Sequence, residues 1–322
     1  YSMSKPITSV ALMMLYEDGR FQLDNPVSRF IPAFKNLKVY SADGNHTAPE
    51  REMTIRDLLT HTSGLTYGFM QSTAVDAMYR EQAVEQSKNL EEMVEKLAKI
   101  PLLFSPGTRW SYSVATDVCG YLVEKISNTP FDEFLREQIF EPLSMDDTGF
   151  FVPDEKIHRF AANYQRTEND GLQLFDSPET SHYQRSPGLF SGGGGLVSTA
   201  HDYYKFASML LNQGEYEGTR LLGRKTVELM TSNHMPGHGD LASMGQAVFS
   251  ESTYDGIGFG LGFSVMLDPA TAQILGTEGE FAWGGAASTY FFIDPDEDML
   301  VIFLTQLMPS SAYPIRRELR VL

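Results

Sequence analysis

The sequence predicts an α+β fold, an antiparallel β-sheet flanked by helices, and three observations carry that prediction. Residues 288–293 and 299–305 are apolar and aromatic runs joined across Asp294-Pro295-Asp296-Glu297, a hairpin signature. Residues 2–16 and 198–211 carry helix signals, an apolar period in the first and a polar capping run opening the second. Near residue 185 the chain changes from helices and loops to glycine-punctuated strands interleaved with helices.

The opening helix places Met3, Ile7, Val10, Ala11, Met14 and Leu15 at the helical period. Glu17-Asp18-Gly19 closes it, with Gly19 suited to the left-handed position just past a helix end. Asp24-Asn25-Pro26-Val27 begins a loop-and-helix region reaching roughly residue 185, with helices expected over 54–59, 90–100, 116–127 and 131–139. Thr54 and Asp57 give the first of these a capping-box-like start. Beyond it, Gly192-Gly193-Gly194-Gly195 lacks the Gly-Lys-Ser/Thr of a phosphate loop and reads as a tight bend entering a strand, lining the mouth of a site. Ser198-Thr199-Ala200-His201-Asp202 caps a helix through Leu211, and residues 224–232 make another. Residues 258–265 alternate small and large side chains, as a strand does where a backbone or ligand comes close. Residues 316–322 fall in a final helix.

A chain of 322 residues with 42% hydrophobic and 12% aromatic content builds a substantial core. Its net charge of −17 argues against a nucleic-acid partner or an anionic membrane surface. No run reaches the length of a transmembrane helix. The single Cys119 excludes an internal disulfide framework and multi-cysteine metal sites, and its apolar helical setting reads as a small buried hydrophobe.

Chemistry enters at the first residues. Ser2-Met3-Ser4-Lys5 is the only Ser-x-x-Lys in the sequence. On a helix, positions three apart share a face, so the Ser2 hydroxyl and the Lys5 amine can meet. A serine becomes a useful nucleophile when a neighbouring base takes its proton. Three further motifs follow in order: Leu59-Thr60-His61-Thr62-Ser63-Gly64-Leu65, then Pro106-Gly107-Thr108-Arg109-Trp110-Ser111-Tyr112-Ser113, then Trp283-Gly284-Gly285-Ala286.

This ordered set resembles the serine β-lactamase and penicillin-binding-protein superfamily, and more narrowly its class C β-lactamase-like branch with the family VIII carboxylesterases. The resemblance spans essentially the whole chain. It implies that the opening helix packs on the sheet formed by residues 1–23 and 186–322, leaving residues 24–185 as a mostly helical second domain. It also implies several dozen residues, including sheet strands, ahead of the serine motif. The chain therefore reads as a fragment at both ends, and its compartment, cytoplasmic or periplasmic, is left open.

Carried onto this sequence, the resemblance implies Ser2 as nucleophile, Lys5 as its activating partner and Tyr112 as second base. A tyrosine ordinarily titrates at about 10, so a base role at neutral pH needs a cation such as Lys5 beside it. Val114 stands where β-lactamases have an asparagine after the tyrosine, which removes an amide contact to a β-lactam side chain. The N–H groups of Ser2 and Ala286 are the expected oxyanion donors. Trp283, Gly284 and Gly285 are the expected substrate-binding residues. Trp283 replaces the lysine of Lys-Thr-Gly, so an apolar wall stands where a cation would hold a carboxylate. That departure favours a small-molecule neutral ester as substrate, cleaved through an acyl-enzyme with no metal or organic cofactor.

Two alternatives stay open: β-lactamase, D-Ala peptidase or acyltransferase chemistry on the same fold, and a catalytically silent scaffold or binding protein. The Gly-x-Ser-x-Gly elbow of α/β-hydrolases is absent, so His61 reads as a hydrogen-bonded residue ending a helix. His234 and His238 have ligand-like spacing but no clear third partner for a metal. Oligomeric state is not read from the sequence.

Overall fold

A computed structural model describes residues 1–169, 171–245 and 254–322. Helices α1 (Ser4–Glu17), α2 (Ile55–Leu59), α3 (Ala74–Glu81), α4 (Leu90–Leu97), α5 (Ala115–Ser127) and α6 (Phe131–Leu135) come before strands β1 (Asn163–Arg166) and β2 (Leu172–Asp176). Next are α7 (Ala200–Leu211), β3 (Glu215–Tyr216), β4 (Thr219–Arg220), α8 (Arg224–Met230) and α9 (Leu241–Met244). The chain continues with β5 (Ile257–Phe259), β6 (Ser264–Met266), α10 (Pro269–Ala272), β7 (Phe281–Gly284), β8 (Tyr290–Asp294), β9 (Met299–Phe303), β10 (Leu307–Met308) and α11 (Ile315–Glu318).

Strands β5 to β9 form one antiparallel sheet in sequence order, so the architecture is α+β as expected. The predicted hairpin is β8–β9, and Asp294 closes its turn by accepting the N–H groups of Asp296 and Glu297. The single strand expected over 258–265 is corrected to a hairpin, β5–β6, pairing Ile257 with Met266 and Phe259 with Ser264. Gly262 explains the difference. Its φ is +103°, and a Cβ there would lie 2.3 Å from Ser9 Oγ on α1. The small residues thus mark a turn pressed against a helix, where any side chain would collide.

Helix α1 is buried on nearly every face, including Ser4, Lys5, Thr8 and Ser9 as well as the apolar positions. A helix buried all round belongs to the core. It packs against α5, which carries the buried Cys119. Tyr203 of α7 ties this helix to the sheet, packing its ring 5.1 Å from that of Phe291 with the planes tilted by 59° and donating its hydroxyl to the Met3 carbonyl at 3.0 Å. Helix α1 ends at Asp18 and Gly19, with Gly19 at φ +70° and its N–H on the Tyr16 carbonyl at 2.9 Å. At α2, the Thr54 hydroxyl accepts the Asp57 N–H at 3.3 Å and Asp57 returns a bond from the Thr54 N–H at 2.8 Å.

Two differences are instructive. The helix expected over 131–139 is α6 followed by a wider π-helical turn, Arg136–Phe140. The region also holds the β1–β2 hairpin, which β10 joins in parallel through Tyr164 and Leu307. Leu172, Leu174 and Phe175 of β2 are exposed, so no alternation of buried and exposed side chains announces that strand. Residues 192–195 form a turn that leads to an isolated bridge between Val197 and Gly149 rather than into a strand. No helix among the described residues is long and apolar enough to cross a membrane.

Candidate active site

Ser2 lies two residues before α1, in the turn that leads into it, and Lys5 lies in the helix's first turn, which brings Lys5 Nζ to 3.2 Å from Ser2 Oγ. Burial of Lys5 is nearly complete, so its amine needs partners. It has three: Ser2 Oγ, the Tyr67 hydroxyl at 3.0 Å and the Gly193 carbonyl at 2.6 Å. Three acceptors match the three donors of an ammonium group. Tyr112 meets the same nitrogen with its ring, whose centroid is 4.5 Å away, a cation–π arrangement.

Aromatic packing fixes the Tyr112 ring. His61, Tyr67 and Trp283 lie 5.1, 5.4 and 5.5 Å from it, centroid to centroid. Phe259 of β5 meets Trp283 edge-on at 5.2 Å. His61 follows the end of α2 in a left-handed conformation, φ 55°, with Nδ1 3.2 Å from Ser113 Oγ. Burial, and then the Lys5 charge, hold its imidazole well below the usual 6.5. His61 is therefore a neutral packing residue behind Tyr112. His234 Nε2 lies 2.8 Å from the Leu229 carbonyl, and the exposed His238 does not join it in a ligand cluster among the described residues.

The end of β7 completes the wall opposite. Gly285 donates its N–H to the Thr289 carbonyl at 2.9 Å. A Cβ at Gly285 would come within 2.3 Å of Thr289 Oγ1, so glycine lets the chain fold back onto Thr289 at a point where that Cβ position is 3.7 Å from the Ser2 nitrogen. Among the described residues, neither the Ser2 N–H nor the Ala286 N–H has an acceptor. Ser2, Tyr112, Trp283, Gly284, Gly285 and Ala286 all border one cavity of about 710 Å³. Its wall is mostly aromatic and aliphatic. Every predicted site residue thus lies at this cavity or, for Lys5, directly behind it.

Three participants escape the sequence reading. Tyr67 lies just past the His61 motif, and nothing in its neighbours distinguishes it. Gly193 holds Lys5 by its carbonyl while its N–H donates to Asp117 Oδ1 at 3.1 Å. One residue, through its two successive peptide groups, thus links the buried cation to a buried carboxylate, which also accepts the Ser191 hydroxyl. Burial raises the Asp117 carboxyl above 3.8, opposed by Lys5 and these hydrogen bonds. Burial foremost, and then the Asp117 charge, keep the Tyr67 phenol well above 10. Asp117 did carry a signal: an acid inside the apolar run Val114–Cys119 must be partnered when buried.

Across residues 1–322 the sequence matches the family model described as Beta-lactamase. It is 36% identical over 319 residues to Protein Rv1367c of Mycobacterium tuberculosis, covering 96% of this chain and 77% of that one. It is 30% identical over 323 residues to Esterase EstB of Burkholderia gladioli, covering 94% of this chain and 76% of that one. Among solved structures, EstCE1, a hydrolase with promiscuous acyltransferase activity, superimposes with a TM-score of 0.81 at 27% identity, over 99% of this chain and 82% of that one.

Proposed function

This chain belongs to the beta-lactamase family, and from that premise we propose that it is a serine hydrolase cleaving carboxylic esters through an acyl-enzyme on Ser2. The observation that carries the reading is the Ser2 Oγ to Lys5 Nζ contact of 3.2 Å, at a cavity that Ser2 and Ala286 also border. Ser2 Oγ bonds to the ester carbonyl carbon and its proton passes into the Lys5–Tyr112 cluster. The step requires Tyr112 in its phenolate form, stabilised by the Lys5 charge at its ring face, so that the phenolate oxygen takes the Ser2 proton and becomes a neutral phenol. The N–H groups of Ser2 and Ala286 receive the carbonyl oxygen as it becomes an oxyanion. Collapse breaks the bond to the alkoxide, which takes the proton and leaves as alcohol. Water then attacks the acyl-enzyme with Tyr112 as base, releasing the acid and restoring Ser2.

The apolar lining, with Trp283 where a lysine would hold a carboxylate, supports esters over β-lactams or peptides. An alcohol in place of water turns the same intermediate toward acyl transfer, the second activity named for EstCE1. The test is intact mass after exposure to a fluorophosphonate, with Ser2→Ala alongside. One adduct is expected on the native chain and none on the variant, together with loss of ester turnover by at least ~10³-fold. An adduct or full turnover in Ser2→Ala sinks the mechanism.

A further inference from the structure

Glu85 borders the Ser2 cavity, yet ester cleavage as described makes no use of it. Its Oε1 accepts the Gly68 N–H at 2.6 Å. Among the described residues no lysine, arginine or histidine pairs with it. Arg80, five residues before it in the chain, instead donates to the Gly68 carbonyl. A half-buried carboxylate is thus oriented by one backbone donor and left without a counter-ion.

Its neighbours are aromatic. Tyr67 and Phe69 stack with ring centroids 4.5 Å apart and planes 24° from parallel, and Phe69 is 47% exposed. Both Glu85 carboxylate oxygens lie 3.1 Å from where a Cβ on Gly68 would stand, and Gly68 joins Tyr67 to Phe69, which places Glu85 close to this pair. The other charges at the cavity are already engaged. Lys5 spends its three donors on Ser2, Tyr67 and Gly193, and Arg316 Nη2 donates to the Gly285 and Thr289 carbonyls at 3.1 and 3.3 Å.

A carboxylate without a counter-ion beside an exposed aromatic ring, here Phe69, attracts a weakly hydrated cation, through charge on one side and the ring on the other. The net charge of −17 adds a long-range field of the same sign preference. We infer that Glu85 and Phe69, with Phe69 backed by the buried Tyr67 ring, form a subsite for the alkylammonium group of a cationic ester, an inference that rests on the ester-hydrolase reading above. A substrate bearing a carboxylate at that end meets like charge instead.

The test compares butyrylcholine with its uncharged isostere 3,3-dimethylbutyl butyrate, in the native chain and in Glu85→Gln, which keeps an acceptor for Gly68. The readout is the ratio of the two kcat/KM values, so general effects of the substitution cancel. The native chain should favour the cationic ester by about tenfold, less at high salt, and Glu85→Gln should bring the ratio near one. Equal values in the native chain, or a ratio unmoved by the substitution, overturn the subsite while ester hydrolysis stands. If neither ester is cleaved, the hydrolase reading fails, and calorimetry with phenyltrimethylammonium decides the subsite alone. Binding weakened about tenfold by Glu85→Gln sustains it, whereas no binding, or equal binding by both proteins, overturns it.

Discussion

The Tyr67 hydroxyl lies 3.0 Å from Lys5 Nζ, while Tyr112 meets the same nitrogen through its ring face at 4.5 Å. The two tyrosines therefore do different work on one cation. Tyr67 shares a hydrogen bond with Lys5 and stays protonated through burial; Tyr112 borders the cavity.

Substituting each tyrosine by phenylalanine separates the roles. Tyr112→Phe should lower kcat by about 10²- to 10⁴-fold, the range for losing a general acid–base group. Tyr67→Phe removes one acceptor from Lys5 and should cost about tenfold, with a shifted pH–rate profile. A larger loss in Tyr67→Phe than in Tyr112→Phe would exchange the assignments.

Asp117 is joined to Lys5 through Gly193, whose N–H it accepts and whose carbonyl Lys5 holds. Asp117→Asn retains an acceptor for the Gly193 N–H and removes the charge. Turnover should fall about tenfold from weaker support of the Lys5 cation. Because burial raises this carboxyl in the folded state, the native chain loses stability as pH rises from 3.8 through the folded pKa, and the variant should lack that loss. Identical stability–pH curves for the two proteins would remove Asp117 from the account.

His61 supplies the opposite pH dependence. Its imidazole titrates well below 6.5 when folded, so its contribution is fully present above 6.5 and is lost as pH falls toward the folded value. His61→Asn suits the left-handed backbone and should flatten that decline. Thermal melts between about pH 7 and 5 give the comparison, and parallel slopes would refute it.

Gly262→Ala tests the clamp between the β5–β6 turn and α1. The added methyl needs the space of Ser9 Oγ at a backbone angle that favours glycine, a combined cost of about 2–4 kcal/mol. Pairing it with Ser9→Gly should recover the steric part and leave the backbone part. No recovery in denaturant titration would place the strain elsewhere.

Much of the fold was legible where a signal is local. The period of Met3, Ile7, Val10 and Ala11 marked α1, the Thr54–Asp57 pair marked the start of α2, and Asp294 marked the β8–β9 turn. Local signals failed where partners decide. Strand β2 is exposed and exists through pairing with β1, and residues 258–265 turn because α1 lies against Gly262. The site divides the same way. Ser2 and Lys5 are neighbours across the turn that opens α1, but Tyr67, Asp117, Gly193 and Glu85 reach the site only through tertiary packing.

Lys5 closes contacts across sequence separations of 62 and 188 residues, to Tyr67 and Gly193. Contacts of such span come late in folding, after loop closures that local helix formation does not require. A chain that has formed α1 but not these pairings would carry Ser2 and Lys5 side by side and still be chemically silent. On refolding, then, the return of serine reactivity should lag the return of helical signal, and the nucleophile becomes a clock for the last tertiary contacts to form.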